Sequence, residues 1–252
     1  MNHSHEVTVI TGGASGIGHA CASLLAEAGH HVLIVDNAPP QPNDELTARP
    51  EIVHLRGDVC QSSTWRRADE ATAGLTLVGL ATCAGVMTDD DHGIVDTPRA
   101  AWKRTLDVNV MGSVLACQWA LTRLVEGRGA IVTVGSVVAL RGSAIPQVAY
   151  TASKGAIRSF SRELAVAEAH RGIRVNHVLP GIVATPMTAH LTASDSDWAR
   201  RVAHIPAAKS AKPREVAEAI VWLLSERASY VNGAELVVDG GLSASFITGR
   251  ET

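Results

Sequence analysis

Tyr150 and Lys154 stand four positions apart in Tyr150-Thr-Ala-Ser-Lys154, and Ser136 precedes the tyrosine by 14 positions. On a helix, residues i and i+4 share a face, so the phenol and the ammonium would project together. A free phenol titrates near ~10, poorly matched to proton transfer at neutral pH. A neighbouring ammonium favours the phenolate, lowers that value and makes tyrosine a usable acid or base. A Tyr–Lys pair alone is commonly surface decoration; the serine changes its meaning. Ser136 follows the apolar run Ala130–Val134, and a hydroxyl at the C-terminal end of a strand faces the crevice where doubly wound sheets bind ligands. There it would hydrogen-bond a substrate oxygen and stabilise a developing alkoxide. Asn109, in Asn109-Val110-Met111-Gly112, falls inside a predicted long helix. It reads either as a satisfied core amide or, beside the other three residues, as part of the same machinery.

The second constellation is Thr11-Gly12-Gly13-Ala14-Ser15-Gly16-Ile17-Gly18, between an apolar run and an amphipathic stretch. Glycine is needed where the backbone turns tightly and approaches a pyrophosphate, whose charge then rests on a helix N-terminus. The spacing G-x3-G-x-G differs from the G-x-G-x-x-G of larger dinucleotide-binding enzymes, and a glycine-rich turn without a ligand is the alternative. Asp36 ends the second apolar run, 18 residues after Gly18. A carboxylate there accepts hydrogen bonds from both ribose hydroxyls of NAD and repels the 2′-phosphate of NADP. Neither Ala14, Ser15 nor Asn37 is a cation that would neutralise that phosphate, so NAD is the expected cofactor. The alternative for Asp36 is a solvated carboxylate.

Short apolar runs must position these groups. Strands are predicted near Val7–Thr11, His31–Asp36, Ile52–Arg56, Leu77–Thr82, Ala130–Gly135, Arg174–Leu179 and Glu235–Val238. Most are β-branched and lack polar alternation, as expected when helices cover both sheet faces. Four helical stretches alternate with them. The first runs from Gly16 to a glycine stop at Gly29. The second starts at Thr97-Pro98, where Thr would cap and Pro would take the first helical position, and continues toward Val125 with room for a bend. The others span Val148 to Ala169, stopped by Arg171-Gly172, and Pro213 to about Ser225. Pro39-Pro40-Gln41-Pro42 cannot be helical, so a short loop follows the second strand. No composition break or repeat divides the 252 residues. The expected fold is α/β: a single Rossmann-like, doubly wound, seven-stranded parallel sheet with helices on both faces.

Composition closes off other classes. Hydrophobic residues make up 46% and charged residues 19%, an ordinary globular balance. A net charge of −3 argues against a nucleic-acid partner, which normally requires a basic face. No apolar stretch approaches the ~20 residues of a membrane span, and Val7–Ile10 is too short for a signal core. Cys21, Cys60, Cys83 and Cys117 lack CxxC spacing and read as reduced thiols of a cytoplasmic protein rather than disulfides or a zinc site. No metal is expected.

These motifs, in this order, resemble the classical short-chain dehydrogenase/reductase family along nearly the whole chain. The resembling segments are Thr11–Gly18, Asp58-Val59, Ala84-Gly85, Asn109–Gly112, Ser136, Tyr150–Lys154, Pro180-Gly181 through Thr185, and Val237-Val238-Asp239-Gly240-Gly241. The resemblance implies a proton exchanged by Tyr150, a substrate oxygen oriented by Ser136, and a Lys154 that lowers the tyrosine pKa and holds the nicotinamide ribose. It implies that Asn109 anchors a water in the proton relay and that Asp58 and Val59 flank the adenine. Thr185 would meet the carboxamide or phosphates, and the Ile182 backbone the carboxamide. Thr82 and Cys83 stand where the family usually has two asparagines, one of which ties the central strands, a tie Thr82 could supply. The Ser136-to-Tyr150 spacing is one longer than the commonest value, which suggests a slightly enlarged loop beside the substrate. The resemblance also implies a homotetramer.

Specificity is expected from the loop Val137–Gln147 and from a lid over about 186–212, which carries Met187, His190, Leu191, Trp198 and Ile205. Trp198 reads as packing of that lid. Arg141 reads as solvated or subunit-facing rather than paired with a substrate carboxylate. Consecutive acids point in different directions, so Asp89-Asp90-Asp91-His92 reads as a solvated loop rather than a metal cluster. The leading expectation is NAD-dependent interconversion of a small cyclic or polyhydroxylated secondary alcohol and its ketone. The alternatives are a 3-oxoacyl-thioester reductase, which would usually prefer NADPH, and a catalytically silent NAD-binding regulator.

Overall fold

A computed structural model describes residues 5–40, 44–192, 199 and 201–245. Seven strands pair in parallel: β1 (Glu6–Thr11), β2 (His31–Asp36), β3 (Ile52–Arg56), β4 (Thr76–Thr82), β5 (Ala130–Val134), β6 (Arg174–Pro180) and β7 (Glu235–Val238). Their order across the sheet is β3-β2-β1-β4-β5-β6-β7. The chain winds outward from β1 to β3, returns past β1 to β4, and winds the other way. The C-terminal ends of β1 and β4 therefore flank the switch point at which such sheets open a ligand crevice.

Among the described residues, the α-helices that cover the two faces are α1 (Gly16–Glu27), α2 (Ser62–Ala71), α3 (Arg99–Leu106), α4 (Ser113–Leu121), α5 (Val148–Glu168) and α6 (Pro213–Leu224). On one face Leu24 and Leu25 of α1 and Val216, Ile220 and Leu223 of α6 pack with Ile10 and Ile34. On the other, Trp65 of α2, Trp119 of α4 and Ala165 of α5 pack with Leu80, Ile131 and Val175. The Trp65 and Trp119 rings lie 5.4 Å apart. Each large apolar side chain so buried contributes roughly 1.5–3 kcal/mol, which makes the sheet a rigid base for the loops at its C-terminal edge.

Three details depart from the sequence reading. Helix α2 was not expected. Its buried residues are Thr64, Trp65 and Ala68 among a charged run, too narrow a stripe to reveal periodicity. The second helical stretch is three pieces, α3 and α4 joined by a π-helical turn at Asp107–Gly112. Such turns are frequent at functional sites, and this one carries Asn109. Thr97 does not cap α3: Pro98 holds the capping position. The Thr97 hydroxyl instead donates to the Gly93 carbonyl and accepts from the His92 N–H. Pro39 and Pro40 are non-helical as expected, Gln41 and Pro42 lie outside the described residues, and a 3-10 turn at Glu45–Ala48 follows. Among the described residues no helix is long and apolar enough to cross a membrane. All four cysteines are free.

Candidate active site

At the switch point, Gly12 has a φ of +69° and its missing Cβ would lie 2.6 Å from Ala84 Cα. A Cβ on Gly18 would lie 2.3 Å from the Gly12 carbonyl oxygen. Both positions admit glycine alone, and the close approach sets the glycine turn against the end of β4. The Thr11 hydroxyl accepts from the Ala84 N–H at 3.2 Å, and the Thr11 carbonyl from the Cys83 N–H at 3.2 Å. Thr11 thus makes the tie expected of Thr82, whose buried hydroxyl has no partner among the described residues. Helix α1 opens with Ser15 at its cap, whose side chain makes no capping hydrogen bond, and no acid lies in its first turn. Its first N–H groups are left for an anion.

One cleft of about 830 Å³ gathers Gly12, Ser15, Gly16, Ile17, Gly18, Asp36, Asp58, Val59, Ala84, Gly85 and Thr185. Its volume lies in the range of small-molecule and cofactor sites. Asp36 Oδ2 accepts from the Ala14 N–H at 3.0 Å and Oδ1 from the Ala38 N–H at 2.9 Å. These bonds draw the glycine turn to the end of β2 and fix the carboxylate, leaving further lone pairs for ribose hydroxyls. The turn, the uncapped helix end and the strand-end carboxylate fit a dinucleotide. Lys103, Arg104 and Asp107 also line the cleft and were not foreseen. Their signal, charges within two turns of Asn109, becomes informative only once α3 is known to lie over the cleft.

Lys154 and Asn109 adjoin the cleft at Gly85, although neither they nor Ser136 and Tyr150 are among the residues that line it. Ser136 Oγ accepts from the Val138 N–H at 3.4 Å, and the serine lies close enough to the Tyr150 phenol to favour its ionised form. Lys154 is buried; its Nζ lies 5.5 Å from the Tyr150 ring centroid and donates to the Val134 carbonyl at 3.0 Å. A Cβ on Gly85 would lie 3.5 Å from that Nζ and 3.4 Å from Asn109 Oδ1, ordinary contact distances that put both side chains against the floor of the cleft. Burial pushes the Tyr150 phenol up to about 12, with the nearby Ser136 side chain opposing it. Burial also pulls the Lys154 ammonium down to about 8. The shift of the phenol is upward, and Lys154 is not among its causes, contrary to the expected lowering. Desolvation dominates both groups, and the ammonium is turned to the strand carbonyl.

Asn109 is satisfied by protein groups. Its Oδ1 accepts from the Val86 N–H at 2.7 Å, and its Nδ2 donates to the Val86 carbonyl at 3.0 Å and to Ser153 Oγ at 2.9 Å. It locks the loop after Gly85 to α5. Pro180 ends β6 and Gly181 and Ile182 follow it at the same sheet edge, but none of them lines the 830 Å³ cleft. Gly181 packs against Asp239, 2.7 Å from its missing Cβ to Asp239 Cβ. The Ile182 carbonyl accepts from the Ala211 N–H at 3.0 Å, which ties together the two ends of the expected lid. In that segment Met187 is partly exposed and Ile205 is buried. Trp198 and the side chains of His190 and Leu191 lie outside the described residues.

Arg141 is exposed, as expected, and hydrogen-bonds the Ser243 carbonyl. One loop residue behaves unlike the sequence reading. In the acidic run Asp89 and Asp90 are exposed, but Asp91 is 6% exposed and bonds the N-terminus of α5.

A family model described as Enoyl-(Acyl carrier protein) reductase matches residues 12–243. The chain is 38% identical to 2-(S)-hydroxypropyl-CoM dehydrogenase 3 of Xanthobacter autotrophicus, covering 95% of this chain and 97% of that one. It is 37% identical to cis-4-hydroxycyclohexanecarboxylate dehydrogenase of Sinomonas cyclohexanicum, covering 96% and 98%. Among solved structures, the aldohexose dehydrogenase of Thermoplasma acidophilum aligns at a TM-score of 0.86 and 25% identity, covering 98% of this chain and 97% of that one. With the match spanning almost every element that builds the cleft, the chain is an oxidoreductase that belongs to the classical short-chain dehydrogenase/reductase family.

Proposed function

We propose that the protein is an NAD-dependent dehydrogenase that interconverts a small cyclic or polyhydroxylated secondary alcohol and its ketone. The observation that carries this reading is the Lys154 ammonium set between the Tyr150 ring, 5.5 Å away, and Gly85, which lines a dinucleotide-sized cleft. A relative named for a hydroxycyclohexane carboxylate supports the alicyclic class.

In oxidation the Ser136 hydroxyl holds the substrate oxygen and Tyr150, as phenolate, takes its proton. In reduction the neutral phenol returns that proton to the carbonyl oxygen. Bound NAD supplies the hydride acceptor. The glycine turn and the start of α1 would hold the pyrophosphate, Asp36 the adenosine ribose, and Asp58 and Val59 the adenine. Lys154 and Asn109, beside Gly85, would hold the nicotinamide ribose and the water of the proton relay. Ala84, Gly85 and Thr185 would border the nicotinamide end, and the backbone from Pro180 to Ile182 its carboxamide. The whole chain would act as one catalytic unit in the cytoplasm, with 186–212 closing over the substrate and four copies forming the assembly.

NADH formation across a panel of secondary alcohols, with NAD at alkaline pH, tests the activity. Turnover of alicyclic or polyhydroxylated alcohols is expected. Tight NAD binding without turnover, unchanged by Tyr150→Phe, would mean a silent regulator; turnover restricted to 3-oxoacyl thioesters with NADPH would mean a thioester reductase. Light scattering that finds a stable monomer would reject the tetramer.

A further inference from the structure

We infer that Asp91 is a positioning residue for Tyr150, holding the first turn of α5 in register from the loop that follows β4. The inference rests on the reading of Tyr150 as the proton-transfer group.

The first N–H groups of a helix have no partner within it. In α5 the Gln147 side chain makes no cap and no acid lies in the first turn, yet none of these donors is left open. The Ala149 N–H donates to Asp91 Oδ1 at 3.0 Å and the Tyr150 N–H to Asp91 Oδ2 at 2.7 Å. The Val148 N–H donates to the His92 carbonyl at 3.3 Å, and the first intrahelical bond runs from the Thr151 N–H to the Gln147 carbonyl at 2.9 Å. Two adjacent residues, more than 50 positions upstream, thus answer the whole first turn.

A carboxylate suits this place physically. It accepts two bonds at once and places a negative charge at the positive end of a 21-residue helix. It is also firmly held. The Asp91 N–H donates to the Thr88 carbonyl at 3.1 Å, and the next residue, His92, bonds Thr97. Upstream, Asn109 grips both backbone groups of Val86. These bonds hold both ends of the segment from Val86 to His92, one beside Gly85 and the other at the backbone of Tyr150.

Position along the helix decides which catalytic group depends on Asp91. Tyr150 is the third residue of α5, inside the turn where fraying begins. Lys154 lies one turn deeper and is anchored independently on Val134. The influences on the phenol itself are burial and Ser136, so Asp91 acts through the backbone. Removing it would loosen the phenol and leave the ammonium and the nucleotide end in place.

The test uses the full chain with Asp91→Ala and Asp91→Asn, assayed on an alcohol that the wild type oxidises. Asp91→Ala is expected to lower kcat by about 10- to 100-fold, as displacement of a reacting group by an ångström does. Asp91→Asn, which keeps one acceptor, should fall between Ala and wild type. NAD affinity should change less than about threefold, because the glycine turn and Asp36 are untouched. Hydrogen exchange should show lost protection at the amides of 149 and 150 only, with Lys154 onward unchanged. Wild-type kcat in Asp91→Ala overturns the inference, as does a loss shared by NAD binding and by protection throughout α5. If Asp91→Ala does not fold, Asp91→Asn is judged by the same criteria. If the wild type oxidises no alcohol, the functional reading fails, while exchange at 149 and 150 still decides whether Asp91 holds the turn.

Discussion

The Lys154 ammonium donates to the Val134 carbonyl at 3.0 Å, two residues before Ser136 on the same chain segment. Helix α5, which bears Tyr150, is thereby pinned to the strand that delivers the serine. The phenol and the hydroxyl meet because a third side chain sets the distance between their elements. The same bond offsets part of the desolvation of a charge that would otherwise be buried without a partner.

Tyr150→Phe should lower turnover by roughly 10²- to 10⁴-fold, the range attributed to a positioned acid or base. The ring remains, so packing against α5 is kept and NAD affinity should barely move. Steady-state kinetics and NAD titration check this together. A variant that retains more than about a tenth of wild-type turnover would show that another group transfers the proton.

Asp36→Ala should act twice. It removes the carboxylate that opposes a 2′-phosphate, and it frees the Ala14 and Ala38 N–H groups that this carboxylate holds. A hydrogen bond to a charged group contributes about 1.5–3 kcal/mol, so NAD affinity should drop about tenfold or more. The ratio of NAD to NADP turnover should fall with it. An unchanged ratio in parallel assays would exclude Asp36 as the discriminator.

His177 carries the clearest pH signature in the core. It is 1% exposed, its Nδ1 pairs with the Thr133 hydroxyl at 2.7 Å, and its Nε2 packs where a Cβ on Gly135 would lie 2.3 Å away. Burial, reinforced by the Lys154 charge, pulls it down to about 4. The unfolded chain then binds the extra proton between its ordinary pKa of 6.5 and about 4. Stability should be complete above pH 6.5 and fall as the pH drops through that window. His177→Asn should flatten the decline, which thermal unfolding at pH 7 and pH 5 would reveal; an equal decline in both proteins would assign it to other groups.

Thr82→Val should leave stability unchanged or raise it slightly. The Thr82 hydroxyl is buried without a partner among the described residues, so no hydrogen bond is lost and a desolvated polar group is removed. A denaturant midpoint lowered by more than about 1 kcal/mol in equivalent stability would reveal a partner for that hydroxyl.

Much of the fold was legible in sequence because its signals are local. The strands show as β-branched runs, and the stops at Gly29 and Gly172 show as glycines, which take φ of +81° and +66°. The glycine turn was legible for the same reason: Gly12 and Gly18 are required by contacts within one strand–turn–helix unit and the strand beside it. Helix α2 was not, because Trp65 and Ala68 reveal their buried face only against α4 and the sheet.

Sequence by itself determined the order of the strands along the chain, the glycine turn, and the identities of Ser136, Tyr150 and Lys154. Tertiary structure alone decided which environment each group meets. Asp91 lies in an acidic run indistinguishable from its exposed neighbours until α5 arrives to donate two N–H groups to it. Lys154 lies one helical turn from Tyr150 whatever the packing, but burial and Val134 decide where its charge is spent. Hydrogen bonding and desolvation depend on atoms brought together from distant positions, and spacing along a chain carries no record of them.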